Sequence, residues 1–249
     1  MTTCDSAGKP GSTVGGVGWL VRTDGPAVLI AATATIVVEL GAFVFARWSG
    51  AAPAAAMLTT LAVSAVWVAM ASPTMAAGGQ RIISCWLRGG VVADASAVTL
   101  VVLWLAAGEM TFLAAVKVYC VFAAVCLAGT AVVAIGRTSA GRCGLAITVA
   151  VVLMIALASP VWLGGPAGYL GPDGRQTLAI AAVRANPFFG VTAAVSDGGR
   201  YVWPEMSVMY GMTALGDSIP LPPVGWRWPV IVYLAAATAG LGASLLRRR

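Results

Sequence analysis

The sequence predicts an all-α membrane protein, a polytopic bundle of about six transmembrane helices. Of its 249 residues, 59% are hydrophobic and only 10% are charged, a composition that a water-soluble domain of this size does not carry. Several apolar runs reach the roughly twenty residues that a helix needs to cross about 30 Å of hydrocarbon. None of these runs alternates like a strand of a membrane β-barrel. We therefore expect a single membrane domain over residues 1–249.

The first three spans follow from the apolar runs and from the residues at their boundaries. Trp19 and Trp48 bracket the first span as interfacial anchors. The second span opens with Pro53, which the first turn of a helix tolerates. The third span is short and contains Asp94, so a re-entrant or interfacial stretch, which would leave five spans, is the alternative. The predicted bounds of these spans are residues 27–45, 53–76 and 91–107.

The remaining spans are predicted over residues 110–135, 144–163 and 228–246. A connection over residues 164–227 separates the last two of them. The final span runs directly into Arg247-Arg248-Arg249, and basic residues of this kind mark the cytoplasmic end of a membrane helix.

The short connections also predict the orientation of the bundle. If the N-terminus lies in the cytoplasm, only Arg47 falls in a short connection on the opposite side. The basic residues that then lie on the cytoplasmic side are Lys9, Arg22, Arg81, Arg88, Arg137, Arg142, Arg247, Arg248 and Arg249. Because basic residues concentrate on the cytoplasmic side, we predict a plasma-membrane protein with both termini in the cytoplasm and residues 164–227 outside.

Several classes of function are disfavoured by the residues that are present. The net charge of +6 comes partly from helix ends, so it does not indicate nucleic-acid binding. The chain has no histidine, which removes the usual haem ligand and imidazole proton shuttle. Its five cysteines form no CxxC pair, and the sequence lacks G-x-S-x-G, H-E-x-x-H and a phosphate-binding loop. We therefore expect no catalytic residues, no metal and no cofactor on this chain.

In addition to Asp94, the charged residues Glu39, Glu109 and Lys117 lie within or beside the predicted spans. Glu39 stands in the middle of the first span, where a carboxylate either binds a proton or cation or is a hydrogen-bonded structural group at a helix interface. Glu109 is predicted at an interface, and Lys117, two turns into the fourth span, can extend its amine toward the outer surface. A secondary transporter that uses Glu39 remains an alternative function.

The long connection contains a polar break between apolar segments. Residues 175–185 can form a short helix, which Asn186-Pro187 ends because the residue before proline is pushed out of helical geometry. Phe188 and Phe189 follow, and residues 204–216 form a second amphipathic stretch. We predict interfacial helices on the outer leaflet, with Asn186 and Pro187 as the hinge between two surface-lying segments.

Three stretches resemble the permease subunits of ABC-2-type transporters. They are "ANPFFGVTAAV" at residues 185–195, "AAGEMTFLAAVKVY" at residues 106–119, and the basic-tailed last helix "WPVIVYLAAATAGLGASLLRRR". Six spans, cytoplasmic termini and an outer amphipathic segment before the last helix are also similar to that family. The resemblance implies that "GGQRIISCWLRGG", residues 78–90, carries a coupling helix on which a separate ATPase docks, with Arg81, Trp86 and Arg88 as docking residues.

The resulting hypothesis is an ABC-type permease subunit that forms the membrane path as a homo- or heterodimer within the lipid bilayer. ATP hydrolysis is expected on a partner chain. The alternative is a non-transporting scaffold or assembly subunit of a larger complex, which the many small-residue helix faces favour. An intramembrane enzyme ranks last because the residues for its chemistry are missing.

Overall fold

The computed structural model describes residues 16–79, 81–107, 111–195 and 225–246, and within them all regular structure is helical. Six of the helices are long and apolar enough to cross a membrane, which confirms the predicted fold class. The helices are α1 (Gly16–Trp48), α2 (Pro53–Ala77), α3 (Ile82–Ala107), α4 (Phe112–Val133), α5 (Ser139–Leu157), α6 (Ser159–Trp162), α7 (Gly164–Gly168), α8 (Pro172–Ala185), α9 (Pro187–Val195) and α10 (Arg227–Leu246).

Helix α3 starts at Ile82 instead of near residue 91, so the expected loop helix is the first part of a membrane helix. Gly89 allows this, because a side chain there would collide with Thr130 of α4 and approach Ser72 of α2. The close approach of three helices offsets the weak helix propensity of glycine. Glu109 lies outside the described residues.

Consecutive long helices run in opposite directions and place two groups of connections at opposite ends of the bundle. At one end, Arg142 Nε at the start of α5 donates to the carbonyl of Ala77 at the end of α2, 3.4 Å away. At the same end, Gly240 of α10 packs against Ala131 of α4. We name this end the arginine end and define it by Arg81, Arg88, Arg137 and Arg142. The opposite end, which contains α6 to α9, is named the loop end.

The core lies around α2, α3 and α4, and the outer helices cover it. The largest fully buried apolar side chains include Met57 and Leu61 of α2, Leu100 and Leu103 of α3, and Phe122 of α4. Helices α1, α5 and α10 present large apolar side chains outward, as lipid-facing helices do. These exposed side chains include Leu29, Ile30, Val37, Phe45, Ile147, Val151, Ile155, Ile231 and Leu245.

Helices α8 and α9 meet at Asn186 with a bend of 71°, and as a pair they are long and apolar enough for a broken span or a re-entrant loop. The break is at the predicted position, but the prediction that the segment after it lies on the surface is wrong. Residues Pro187 to Ala194 are all buried, and Phe188 and Phe189 belong to the main core. The reason is that α9 is apolar on every side, and a helix without a polar face is buried. Residues 204–216 lie outside the described part of the chain.

Candidate functional site

The contact between α1 and the core is unusually polar. The residues of α1 that are buried among those whose exposure is described include Asp24, Thr35 and Glu39, separated by small alanines such as Ala31. Each of the three polar side chains contacts α2 or α3. We name this contact the polar seam and define it by Asp24, Thr35 and Glu39 of α1 with Trp67 of α2 and Arg88 and Ser96 of α3.

Glu39 occupies the middle of the seam and is completely buried. Ser96 Oγ of α3 donates a hydrogen bond of 2.6 Å to Glu39 Oε1. The second carboxyl oxygen, Oε2, is buried without a hydrogen bond, and so is the Oγ atom of Ser64 in α2. The Ser64 and Thr99 hydroxyls lie close enough to interact with the carboxyl group, although neither reaches hydrogen-bond geometry with it. Helices α2 and α3 thus surround the carboxyl group of α1 with hydroxyls.

One helical turn before Glu39, Thr35 provides the second polar contact of the seam. Its hydroxyl donates to the carbonyl of Ala31 at 2.8 Å and accepts from Trp67 Nε1 at 2.9 Å. The indole N–H, which prefers a partner when it is buried, is satisfied by a neighbouring helix. Sequence analysis missed Thr35, Trp67 and Ser96 because such residues are common in membrane helices. A signal was present in the spacing of Thr35 and Glu39, which puts them on one helix face.

Asp24 and Arg88 form the third contact, at the arginine end. Arg88 Nε lies 2.6 Å from Asp24 Oδ1, and the side chains are 19% and 5% exposed. A side chain on Gly78 would collide with the Arg88 guanidinium, so the glycine makes room for the pair at the turn between α2 and α3. Arg88 therefore holds α3 against α1, which differs from its predicted place in a docking loop. Asp24 was missed because the first span was predicted to begin after it.

The other two predicted docking residues have different surroundings. Trp86 is half-buried and packs on an apolar cluster that contains Ala76, Cys85 and Val133. Its Nε1 atom is buried without a hydrogen bond. Arg81, in contrast, is exposed at the start of α3. Of the three residues, Arg81 is the one that is exposed at the surface.

Exposed apolar side chains follow Arg81 on the first turns of α3. Ile83 is 62% exposed and Leu87 is 47% exposed. Helix α3 has 26 residues, which corresponds to about 39 Å at the helical rise, longer than the roughly 30 Å of hydrocarbon. The excess corresponds to about two turns of helix in total, and the start of α3 lies at one boundary of its candidate span, Ile82–Leu103. We name Arg81, Ile83 and Leu87 the α3 tip.

Asn186 joins α5, α8 and α9 at the loop end. Its Nδ2 donates to the carbonyls of Ala156 and Leu157 at the end of α5, at 3.0 and 3.1 Å. Its Oδ1 accepts from the backbone N–H of Phe188 at 2.9 Å. One buried side chain thus satisfies terminal carbonyls of one helix and a terminal N–H of the next, while Pro187 occupies the favoured first position of α9. Hydrogen bonds of Asn186 to α5 and α9 therefore fix the bend at the predicted hinge position.

The remaining charged groups of the spans lie toward the outside of α3 and α4. Asp94 is exposed on α3, and the Tyr119 hydroxyl of α4 donates to its Oδ1 at 3.0 Å. Lys117 is half-buried on α4. The structure does not bring either residue to the polar seam. Among the described residues, no group of three or more His, Cys, Asp or Glu side chains could hold a metal ion.

These features define the class of protein as a membrane-type helical bundle with six helices able to span a bilayer. In comparisons with known proteins, no family model, curated protein or solved structure matches the chain. The features of the bundle that bear on function are the polar seam, the α3 tip and the contacts of Asn186.

Proposed function

We propose that the chain is the membrane-spanning permease subunit of an ABC-type transporter and that a separate ATPase docks on the α3 tip. The observation that carries this proposal is the exposure of Arg81, Ile83 and Leu87 at the start of a long helix. A soluble ATPase can drive a membrane subunit only through an element that it can reach from outside the bilayer. A surface that combines one cation with two apolar side chains suits such a contact.

The attachment of the α3 tip supports a role in transmitting motion. Arg88 pairs with Asp24 of α1, and Gly89 packs against α2 and α4. A displacement of the tip therefore reaches three other helices through direct contacts, without a flexible linker. This arrangement is what a coupling element requires, because force travels through packed side chains and rigid helices.

The apolar outer faces of α1, α5 and α10 support an environment of lipid and a second permease chain. Within the proposal, the path for the transported molecule lies between two such chains in the plasma membrane. The small-residue face of α10, with Gly240 already packed against α4, leaves Gly242 open to a close neighbour.

The proposal is tested by purifying the tagged full-length chain from its native membrane and identifying co-purified proteins with ATP-binding motifs. The substitutions Arg81→Glu and Leu87→Gln should reduce recovery of that protein at least about tenfold, a loss of about 1.4 kcal/mol in binding. Arg47→Glu is the matched control, since Arg47 is an exposed arginine at the opposite end of α1. If no ATP-binding protein accompanies the wild-type chain, the proposal fails.

The close packing of the bundle favours a second candidate, a non-transporting scaffold or assembly subunit. The centre of the described bundle is filled by apolar side chains, including Leu100, Val121 and Phe122. A scaffold predicts that the chain co-purifies with a larger complex and that its deletion leaves solute flux unchanged. Loss of uptake or export of a solute after deletion would instead favour the permease.

A further inference from the structure

The surroundings of Glu39 indicate which chemical species this carboxyl group can hold. Ser96 donates its hydroxyl hydrogen to Oε1. The Thr99 hydroxyl also lies near the carboxyl group, and it donates to the carbonyl of Ala95 at 3.1 Å. Oε2 and the Ser64 hydroxyl have no partner. A protonated carboxyl group would supply one O–H donor to these hydroxyl oxygens, whereas a bare carboxylate would have only the hydrogen bond from Ser96.

None of the described charged groups on the helices packed against Glu39 is a counter-ion to it. Helix α2 contains no charged residue at all. In α3, Arg88 is paired with Asp24 at the arginine end, and Asp94 is exposed and bonded to Tyr119. In α1, Arg47 donates to the carbonyl of Ala51 at the loop end. Among the described side chains, a charged carboxylate would therefore be buried with one hydrogen bond and no compensating cation, which is strongly unfavourable.

A metal cation fits this site less well than a proton. Hard metal cations take about six or more oxygen ligands, many of them backbone carbonyls or water. Here the oxygens come from one carboxyl group and three hydroxyls, and α1, α2 and α3 run without interruption past this level, so their carbonyls are used in helical hydrogen bonds. Glu39, Ser64 and Ser96 are all completely buried. A proton needs no additional volume.

We propose that Glu39 is a reversible proton-binding site whose occupancy controls the packing of α1 against α2 and α3. In the loaded state a proton taken from water forms the Oε2–H bond, and this O–H group donates to the hydroxyl oxygen of Ser64 or Thr99. In the released state the proton returns to water and leaves a carboxylate that is stabilised by hydration. Hydration requires α1 to move away from α2 and α3, so release of the proton and opening of the polar seam occur together.

The test is an infrared pH titration of the full-length protein in lipid vesicles, with Glu39→Gln as the reference. A protonated carboxyl group has a carbonyl stretch that neither a carboxylate nor a glutamine amide shares. We expect the wild-type minus Glu39→Gln difference to contain this band at low pH, to lose it reversibly as the pH is raised, and to regain it on return. Asp94→Asn is the matched control, because Asp94 is an exposed carboxyl group on a neighbouring helix and its replacement should leave the Glu39 band in place.

A second variant separates a positioned proton site from a carboxyl group that is merely buried. Ser96→Ala removes the hydrogen bond to Oε1 and should shift the band to higher frequency without removing it, because a hydrogen bond to a carbonyl lowers its stretching frequency. Spin labels report the packing of α1 against α2. A spin label at exposed Val37, paired with one at exposed Val66 of α2, should report a longer distance at the pH where the band is lost, and Glu39→Gln should abolish that change.

Each outcome decides for or against the proposal. A difference spectrum with only carboxylate bands at every pH shows that Glu39 holds no proton and overturns it. A protonated band that never titrates, with a constant label distance, shows a permanent structural hydrogen bond and also overturns it. Loss of the band on addition of sodium at constant pH, but not on addition of choline, identifies a metal-cation site instead. None of these results depends on whether an ATPase binds the α3 tip.

Discussion

Helices α1 and α10 both lie at the edge of the bundle and both expose apolar side chains, but different contacts hold them to the core. Helix α1 is attached by the polar seam, in which Asp24, Thr35 and Glu39 each contact another helix. Helix α10 is attached by close packing, with Gly240 against Ala131 of α4 and Pro229, at the start of α10, against Gly190 of α9.

The two modes of attachment should make α1 and α10 sensitive to different substitutions. In an apolar medium, packing of small residues and interhelical hydrogen bonds are the available sources of helix association, since lipid tails are as apolar as the helix faces. A helix held by packing responds to the volume of side chains. A helix held by polar contacts responds to the loss of a partner or a change of charge. We therefore expect α1 to move relative to the core and α10 to stay in place.

The largest effect is expected when one partner of the ion pair is removed. Arg88→Leu leaves the carboxylate of Asp24 buried without its cation and should destabilise the protein by about 3 kcal/mol, the lower end of values for broken buried pairs, because Arg88 is partly exposed. Unfolding in detergent measures this loss. The double variant Asp24→Asn with Arg88→Leu should recover most of it, and no recovery would mean that the pair does not hold α1.

The next effect concerns Asn186 at the loop end. This residue anchors α9, which contacts α10 through Gly190 and Pro229. Asn186→Leu removes the donor to the carbonyls of Ala156 and Leu157 and the acceptor for the N–H of Phe188. Because these buried backbone groups would lose their partners, we expect the free energy of unfolding to fall by about 2–3 kcal/mol. Thermal unfolding in detergent provides the measurement. Asn186→Asp should retain part of the stability at low pH, where the carboxyl group is protonated, and lose it at neutral pH, where a carboxylate would face the carbonyl oxygens of Ala156 and Leu157.

A smaller effect is expected from a change of volume on α10. Gly240→Leu introduces a side chain against the backbone of Ala131 and should destabilise the bundle by about 2 kcal/mol through overpacking. Gly242 on the same helix has open space around it, so Gly242→Leu is the matched control and should change the monomer's stability little. Equal losses at the two glycines would contradict close packing as the attachment of α10.

The smallest effect tests the middle of the polar seam. Trp67→Phe keeps an aromatic ring but removes the N–H that donates to Thr35, and we expect a loss of about 1 kcal/mol or less. A double-mutant cycle with Thr35→Val isolates this contact. Strictly additive effects of the two substitutions would show that the hydrogen bond contributes nothing to the attachment of α1.

Sequence reasoning found Glu39 because one carboxylate in a long apolar run is conspicuous, but it could not find the residues that surround it. Ser64, Ser96 and Thr99 become a site only when α1, α2 and α3 pack in one register, and no local pattern specifies that register. The early start of α3 was hidden for a similar reason. Arg88 and Gly89 look like loop residues until Asp24 pairs with the first and Thr130 packs against the second.

The apolar runs alone establish that the protein is a helical membrane bundle with about six spans, because backbone groups in hydrocarbon must be satisfied within each segment and length sets how many segments can cross. The same local information placed the break at Asn186, since a residue before proline leaves helical geometry. Packing between helices decided the rest: that α9 is buried, that Arg88 pairs with Asp24, and that Glu39 is surrounded by hydroxyls. These contacts join residues far apart in the chain, and their energies depend on which helix faces meet.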